Sequence, residues 1–477
     1  MRTVLALDLG TSSCKAALYT IDGERIATAA ASYPIHNPGP AMYEQSGEDY
    51  ARAAQAAIAG LGVNAQTSAI SFSTQTPTLI FCDDALKPLR PAVIWQDSRA
   101  ADEAEFLLTR YSAGERREWF GMDLPISAAS TPAKLLWIAR HEPELWRRTR
   151  YVFQPKDHVA ALLTGRPVTD AWCAKGMANV ETFSTHPSFL KLLNKSVDPC
   201  PPILSATAQV GTVTCEAATS WSLAPGTPVM NGWSDALAGI FSTGACQRAR
   251  TGFVITGTSE IIGMTRSEGP AHPGVFHVPA HLLPGSGVDL HFGPTQAGGS
   301  ALEWLARITG RTAAELLALI PGDAGPSPIL FRPHLAGERA PYWDHTLTAS
   351  FEGLRLEHTA ADLALAVVQG IAMQERLVLT CAESGVAADR VMLAGGAARH
   401  AGWNRVRANV LGCPVFAMRD LEASLRGAAL IAWAGLGAVD LRTPPESWFA
   451  ADRIDPDSQW AGPVTELMER FELRQRS

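Results

Sequence analysis

Val4-Leu5-Ala6-Leu7-Asp8-Leu9-Gly10-Thr11-Ser12-Ser13-Cys14-Lys15-Ala16-Ala17-Leu18 is the stretch that decides the fold. An apolar run holding one carboxylate enters a small, hydroxyl-rich turn, and a second apolar run leaves it with no room for a helix between them. Two strands joined by a tight turn follow from that pattern. Gly10 lets backbone approach a ligand closely, while Thr11, Ser12 and Ser13 offer hydroxyls and N–H groups suited to phosphate oxygens. A carboxylate on an apolar strand is expensive to desolvate unless it is paired or metal-bound. Lys15 is one counter-charge for Asp8, and Mg²⁺ beside a phosphate is the other. A plain hairpin whose turn Asp8 caps fits the same residues.

The 477 residues, 47% hydrophobic and 18% charged, describe a globular chain long enough for two or three domains. The net charge of −7, with no basic block, speaks against a nucleic-acid partner. The start runs straight into a strand, so no signal peptide is expected, and no apolar run reaches the ~18 residues of a membrane span. Eight scattered cysteines without a C-x-x-C pair read as reduced thiols. A cytoplasmic protein with no membrane partner is the expectation.

Along the chain, Arg25–Tyr33 continues the sheet and Glu48–Leu61 reads as a helix. Gly60-Leu61-Gly62-Val63-Asn64-Ala65 formally matches a dinucleotide fingerprint, but it follows a helix rather than a strand and is rejected. Ser73-Thr74-Gln75-Thr76-Pro77-Thr78 lies between two short apolar strands, either a pocket wall or a plain loop. Gln96-Asp97-Ser98-Arg99 leads into a helix near Ala100, which Asp97 could simply cap. Thr169-Asp170 opens a polar loop running through Gly176. At Val229–Gly244 a short strand meets a small-residue helix at Asp235. That carboxylate is either an N-cap or a base held at a positive helix end.

The opening pattern then returns. In Thr251–Arg266, Gly257-Thr258-Ser259 repeats Gly10-Thr11-Ser12 between two apolar strands, lacking the Asp. Such a repeat implies two related domains facing one nucleotide, 1–244 and 245–477. Further on, Gly298-Gly299 begins a helix, Ala361–Ala382 is a long amphipathic helix, and Arg390–Leu393 runs into Ala394-Gly395-Gly396-Ala397. Those last glycines suit either close approach of a nucleotide or a tight turn. Ser424–Gly435 is a small-residue helix that fits the same second domain.

Taken in order, Asp8-Leu9-Gly10-Thr11-Ser12, Trp95-Gln96-Asp97-Ser98-Arg99, Asp235-Ala236-Leu237-Ala238-Gly239, Gly257-Thr258-Ser259, Gly337-Glu338-Arg339-Ala340-Pro341-Tyr342-Trp343-Asp344 and Gly395-Gly396-Ala397 resemble the motifs of the FGGY carbohydrate kinases. The likeness covers nearly the whole chain and is nearest to xylulokinase-like members. It implies an α/β, two-domain actin/hexokinase-like (ribonuclease H-like) fold with a cleft between duplicated domains. It also implies ATP and Mg²⁺ as cofactors and a small-molecule sugar as partner. A homodimer is a candidate assembly that the residues themselves do not decide. By the resemblance, Gly10, Thr11, Ser12, Lys15, Gly257 and Thr258 would hold the ATP phosphates, Gly395 and Gly396 would lie against adenosine, and Gly298 would also contact the nucleotide. Asp8 and Asp235 would sit at the metal, Asp235 would also be the catalytic base, and Gln75, Thr76, Asp97 and Arg99 would join it in binding the acceptor. Gln75-Thr76-Pro77 departs from the Gln-Arg-Glu of glycerol kinases and the Gln-Met-His-Gly of xylulokinases. A ketose such as xylulose is the expected acceptor, with gluconate, ribulose, glycerol, or a non-catalytic sugar sensor as the alternatives.

Overall fold

The computed structural model describes residues 2–62, 67–267 and 272–473; Val63, Asn64 and Ala65 of the rejected fingerprint lie outside them. The chain divides into two units, Met1–Ala238 with Ser424–Trp448 and Gly239–Ala423 with Phe449–Ser477.

In the first unit, strands β1 (Thr3–Leu9), β2 (Ser13–Thr20) and β3 (Arg25–Ser32) precede helix α1 (Gly47–Gly60) and strand β4 (Ile70–Thr74). Helix α2 (Pro155–Thr164), strands β5 (Gln209–Thr212), β6 (Pro228–Met230) and β7 (Trp233–Ser234), and the start of helix α3 (Asp235–Ser242) follow. The sheet runs β3-β2-β1-β4-β6-β5, with β7 beside β4. Strand β1 is antiparallel to β2 but parallel to β4. Central strands are covered on both faces, which is why Val4 to Leu7 is an unbroken apolar run. Leu5, Leu7 and Leu9 share a core with Tyr50, Ala53, Ala54, Ala57 and Ile58 of α1. The alanines let that helix lie close to the sheet.

The second unit holds strands β8 (Thr251–Thr256), β9 (Ile261–Arg266), β10 (Phe276–Val278) and β11 (Asp289–Pro294), then helices α4 (Gly299–Thr309) and α5 (Ala360–Glu383). Strand β12 (Arg390–Gly395), helix α6 (Ala401–Leu411) and strands β13 (Val415–Met418) and β14 (Ala451–Ile454) complete it. Its sheet runs β10-β11-β9-β8-β12-β13-β14. Here β8 is antiparallel to β9 and parallel to β12, as β1 is to β2 and β4. The two sheets therefore repeat one topology, and both Gly-Thr-Ser turns fall at the same place in it. The edge strand departs from the repeat, preceding its neighbour in sequence in the first sheet and following it in the second. Helix α5 is long and apolar enough to cross a membrane by length and composition, but 72% of its most apolar window is buried. Val367, Val368, Ile371 and Met373 of α5 pack in the core of the second unit.

The chain passes between units at Ala238/Gly239, a few residues before the expected boundary at 244/245. It also comes back. Helix α7 (Ala423–Gly435), placed by its sequence with the second half, belongs from Ser424 onward to the first unit. A Cβ on its Gly427 would stand 1.9 Å from the Ala238 carbonyl oxygen, and Trp433 Nε1 donates to the Thr20 carbonyl at 2.9 Å. Packing this close requires glycine at position 427, and no local pattern announces its partner.

Candidate active site

Asp8 stands on β1 directly across the ladder from Lys15 on β2 and beside Ser73 on β4. The Ser73 hydroxyl donates to Asp8 Oδ1. Strand β7 runs along β4 and delivers Asp235 to the first position of α3. Gly232 makes that approach possible: its φ is +75°, and a Cβ there would lie 2.4 Å from the Phe72 carbonyl oxygen.

Asp235 is not the cap of its helix. The Leu237 N–H is taken by Ser234 Oγ at 3.3 Å, while Asp235 Oδ1 accepts from the adjacent Ala236 N–H at 2.7 Å. Burial, and then the charge of Asp8, push the Asp235 carboxyl up to about 7, against the pull of the Ala236 N–H and of Lys175. Asp235 is thus a half-buried carboxyl poised near neutrality.

Lys175 is a residue that sequence reasoning passed over inside its polar loop. Its Nζ donates to the Trp172 carbonyl at 3.3 Å and lies 4.7 Å over the Trp172 ring. Burial lowers its pKa, opposed by Cys173, Asp170 and Asp235. The loop is held to the end of β6: Asn231 Nδ2 donates to the Thr169 carbonyl at 2.9 Å, and Lys156 on α2 pairs with Asp170 at 3.0 Å and with Asp157 at 2.7 Å. The only local signal was a lysine among small and apolar residues.

Around the first turn, Thr11 is held from two sides. Trp95 Nε1 donates to Thr11 Oγ1 at 3.0 Å and Gln45 Nε2 to the Thr11 carbonyl at 2.7 Å; the Tyr33 hydroxyl donates to the Gly10 carbonyl. Ser12 stays exposed. Gln75 is fully buried, and its amide N–H₂ donates to Gln45 Oε1 and to the Tyr50 hydroxyl, both at 3.0 Å. Thr76 beside it is half-buried. Asp97 is also fully buried and accepts from the Tyr43 N–H at 2.7 Å and the Arg99 Nη2 at 2.7 Å; Arg99 reaches on to Glu44 at 2.7 Å. The Asp97 carboxylate is satisfied by protein, so the Asp97–Arg99 pair braces the wall, and Gln75 braces the turn through Gln45. Tyr43, Glu44 and Gln45 tie both braces together, a role with no signature of its own in sequence.

In the second unit, three segments meet. Thr256 lies opposite Gly395 on neighbouring parallel strands, and its hydroxyl accepts from the Ala397 N–H at 3.0 Å. The first N–H groups of α4, from Gly299 and Ser300, donate to the Gly257 and Thr258 carbonyls at 2.9 and 3.0 Å. Together they border a cavity of about 1360 Å³, with Gly257, Thr258, Gly299, Gly396 and Trp403 in its lining. The two glycines of Gly395-Gly396 have separate tasks. Gly395 has φ +88°, and a Cβ on it would lie 2.1 Å from the Thr256 carbonyl oxygen, whereas one on Gly396 meets nothing. A Cβ on Gly298 would press on Glu260 at 2.9 Å, and one on Gly299, which borders the cavity, would lie 2.8 Å from the Gly257 carbonyl oxygen. Gly395, Gly298 and Gly299 are demanded by packing; Gly396 faces open space.

Among the described residues, one cluster outside these regions has metal-ligand spacing, His277, Asp289 and His291, with ligand atoms within 4.8 Å of one another. Arg266 Nη2 faces His291 Nδ1 at 3.3 Å, and a guanidinium there opposes a cation.

Paired glycine–hydroxyl turns on repeated sheets, with the raised Asp235 carboxyl on one unit, fit a two-domain sugar kinase fold. The family model for the N-terminal domain of the FGGY family of carbohydrate kinases matches residues 3–242, and that for the C-terminal domain matches residues 252–436. The chain belongs to the FGGY family of carbohydrate kinases. It is 28% identical to a xylulose kinase of Lactococcus lactis over 92% of this chain and 89% of that one. The crystal structure of a ligand-bound xylulose kinase from Lactobacillus acidophilus superposes with a TM-score of 0.90 at 23% identity, covering 100% of this chain and 98% of the other. A gluconate kinase of the same organism reaches 0.89 at 24%, with the same coverage. At those identities the structures speak to fold alone. The protein is thus a carbohydrate kinase, moving a phosphoryl group from ATP to an alcohol.

Proposed function

We propose that this kinase phosphorylates a ketose such as xylulose, with Asp235 taking the proton of the acceptor hydroxyl. The observation that supports it is the state of that carboxyl: pushed up to about 7 by burial and Asp8, against the Ala236 N–H bonded to it. A base in that range is ionised often enough to act and basic enough to hold the proton as the phosphoryl group moves. The first unit receives the acceptor, bordered by Gln75, Thr76 and the Asp97–Arg99 brace. The cavity of the second unit receives the nucleotide, its phosphates toward Gly257 and Thr258 and its adenosine along Gly396; Gly10, Thr11, Ser12 and Lys15 are the phosphate-binding candidates of the first unit. Two carboxylates, one of which raises the other, are a fitting donor set for a hard divalent cation. Asp8 and Asp235 would hold Mg²⁺, which when bound neutralises phosphate charge. The likeness to the Lactococcus xylulose kinase favours the ketose.

Lys175 favours a second reading, in which the acceptor is a sugar acid such as gluconate. An ammonium with one hydrogen bond to protein, felt by Asp235, suits a substrate carboxylate. ADP release measured with xylulose, ribulose, gluconate, xylitol and glycerol under one condition separates the two. Xylulose with the highest kcat/KM supports the first reading, gluconate the second, and glycerol overturns both. Asp235→Asn should cut kcat by on the order of 10²–10⁴ and leave ATP affinity nearly intact; turnover near wild type would remove Asp235 from the chemistry. The bounds 1–244 and 245–477, a cytoplasmic location and a homodimer remain part of the same proposal.

A further inference from the structure

Behind the cavity of the second unit lies a fully buried ionic group that the chemistry above does not use. Arg407 on α6 donates from Nη2 to Glu260 Oε1 at 2.7 Å and from Nε to Glu375 Oε1, on α5, at 2.8 Å. None of the three is more than 1% exposed. One cation between two carboxylates leaves a surplus negative charge in a dry place. Burial and then Glu375 raise the Glu260 pKa, and Glu260 Oε2 and Glu375 Oε2 are buried without a hydrogen-bond partner.

The arrangement is costly to build, and its contacts reach the cavity on three sides. Glu260 ends the turn that starts at Gly257; its N–H donates to Thr295 Oγ1 at 3.2 Å and its carbonyl accepts from the Thr295 N–H at 2.9 Å. The Arg407 guanidinium lies 4.3 Å over the ring of Trp403, which borders the cavity. One turn back on α6, Asn404 Oδ1 faces Arg407 Nη1 at 3.5 Å and Asn404 Nδ2 donates to the Ala398 carbonyl at 2.6 Å, at the end of the Gly395–Ala398 turn. A single guanidinium thus fixes the Gly-Thr-Ser turn, the aromatic wall and, through Asn404, the glycine turn.

We propose that Arg407, clamped by Glu260 and Glu375, is the positioning residue of the nucleotide site, setting the spacing of the two turns that grip ATP. This rests on the assignment of the cavity to the nucleotide. A planar fork bound to two partners cannot be replaced by a point charge. Arg407→Lys should therefore raise KM for ATP and the Kd for ADP by about tenfold or more, the worth of one charge-assisted hydrogen bond, with KM for the sugar changed less than about twofold. Glu260→Gln, nearly isosteric, should act in the same direction. The Kd of ADP and of a non-hydrolysable ATP analogue is measured by calorimetry beside melting temperature. Gly396→Val serves as the control for the cavity, because its side chain would enter open space without a clash. If Gly396→Val weakens ADP binding while Arg407→Lys and Glu260→Gln melt lower with unchanged Kd, the triad is core structure and the inference is overturned. If Gly396→Val leaves ADP binding intact, the cavity assignment itself fails. Should Arg407→Lys not fold, Glu260→Gln and Glu375→Gln decide the matter by the same Kd.

Discussion

Asp235→Asn should stabilise the protein while disabling it, and the gain should depend on pH. In the native chain the carboxyl titrates at about 7 instead of 3.8, first because of burial and then because of Asp8. The sign follows from linkage. Below 3.8 the carboxyl is protonated in both states and nothing is lost. Between 3.8 and about 7 the unfolded chain ionises while the folded one resists, so native stability falls; above about 7 the whole penalty is present. At about 1.4 kcal/mol per pH unit the interval bounds the penalty near 4 kcal/mol. Asp235 is half-buried, and solvent screening reduces that to about 1–2 kcal/mol. Asparagine keeps an oxygen for the Ala236 N–H and removes the charge. The variant should melt higher than wild type by roughly 2–8 °C at about pH 8, with a much smaller difference at about pH 5. Differential scanning calorimetry of both proteins across that range is the assay. An equal or lower melting temperature for Asp235→Asn at the higher pH would refute a strained carboxylate, whatever the variant does to turnover.

Lys175→Met removes a cation that holds the Asp235 carboxyl down. The acid limb of kcat/KM should move to higher pH, and a limb that stays in place or moves lower would uncouple the two groups. Gly232→Ala puts a Cβ against the Phe72 backbone at positive φ; a loss of about 3 kcal/mol or more in chemical denaturation is expected, and a neutral result would mean that β7 can shift freely. Asp97→Asn leaves Arg99 buried beside half its partner and should cost about 3–5 kcal/mol of stability. Its acceptor KM should move less than about tenfold; a rise near 10⁴-fold without a change in melting would make Asp97 a direct hydroxyl contact.

The strand–turn–strand units were legible because everything that makes them is local. An apolar run, a glycine and two hydroxyl residues within fifteen positions specify β1, its turn and β2, and the same grammar at Thr251–Arg266 specifies β8 and β9. The duplication could be read from that repetition; the fold class came with the resemblance to the FGGY carbohydrate kinases. The helices at Gly47–Gly60 and Ala360–Glu383 were likewise written in their own periodicity. Other questions turned on groups distant in sequence. Whether Asp235 caps or acts depended on Ser234 occupying the Leu237 N–H and on Asp8 raising the carboxyl across the sheet. Which glycine of Gly395-Gly396 is demanded by packing and which faces open space depended on where the Thr256 carbonyl lies. Asp97 read as an open acceptor until Tyr43 and Arg99 closed on it. Helix α7 carried no mark of its destination, because the carbonyl that demands Gly427 belongs to Ala238. Periodicity and turn chemistry are properties of neighbouring residues, and so the sequence alone carries them. A charge's neighbours, a donor's prior partner and the room for a Cβ are set only when distant segments meet.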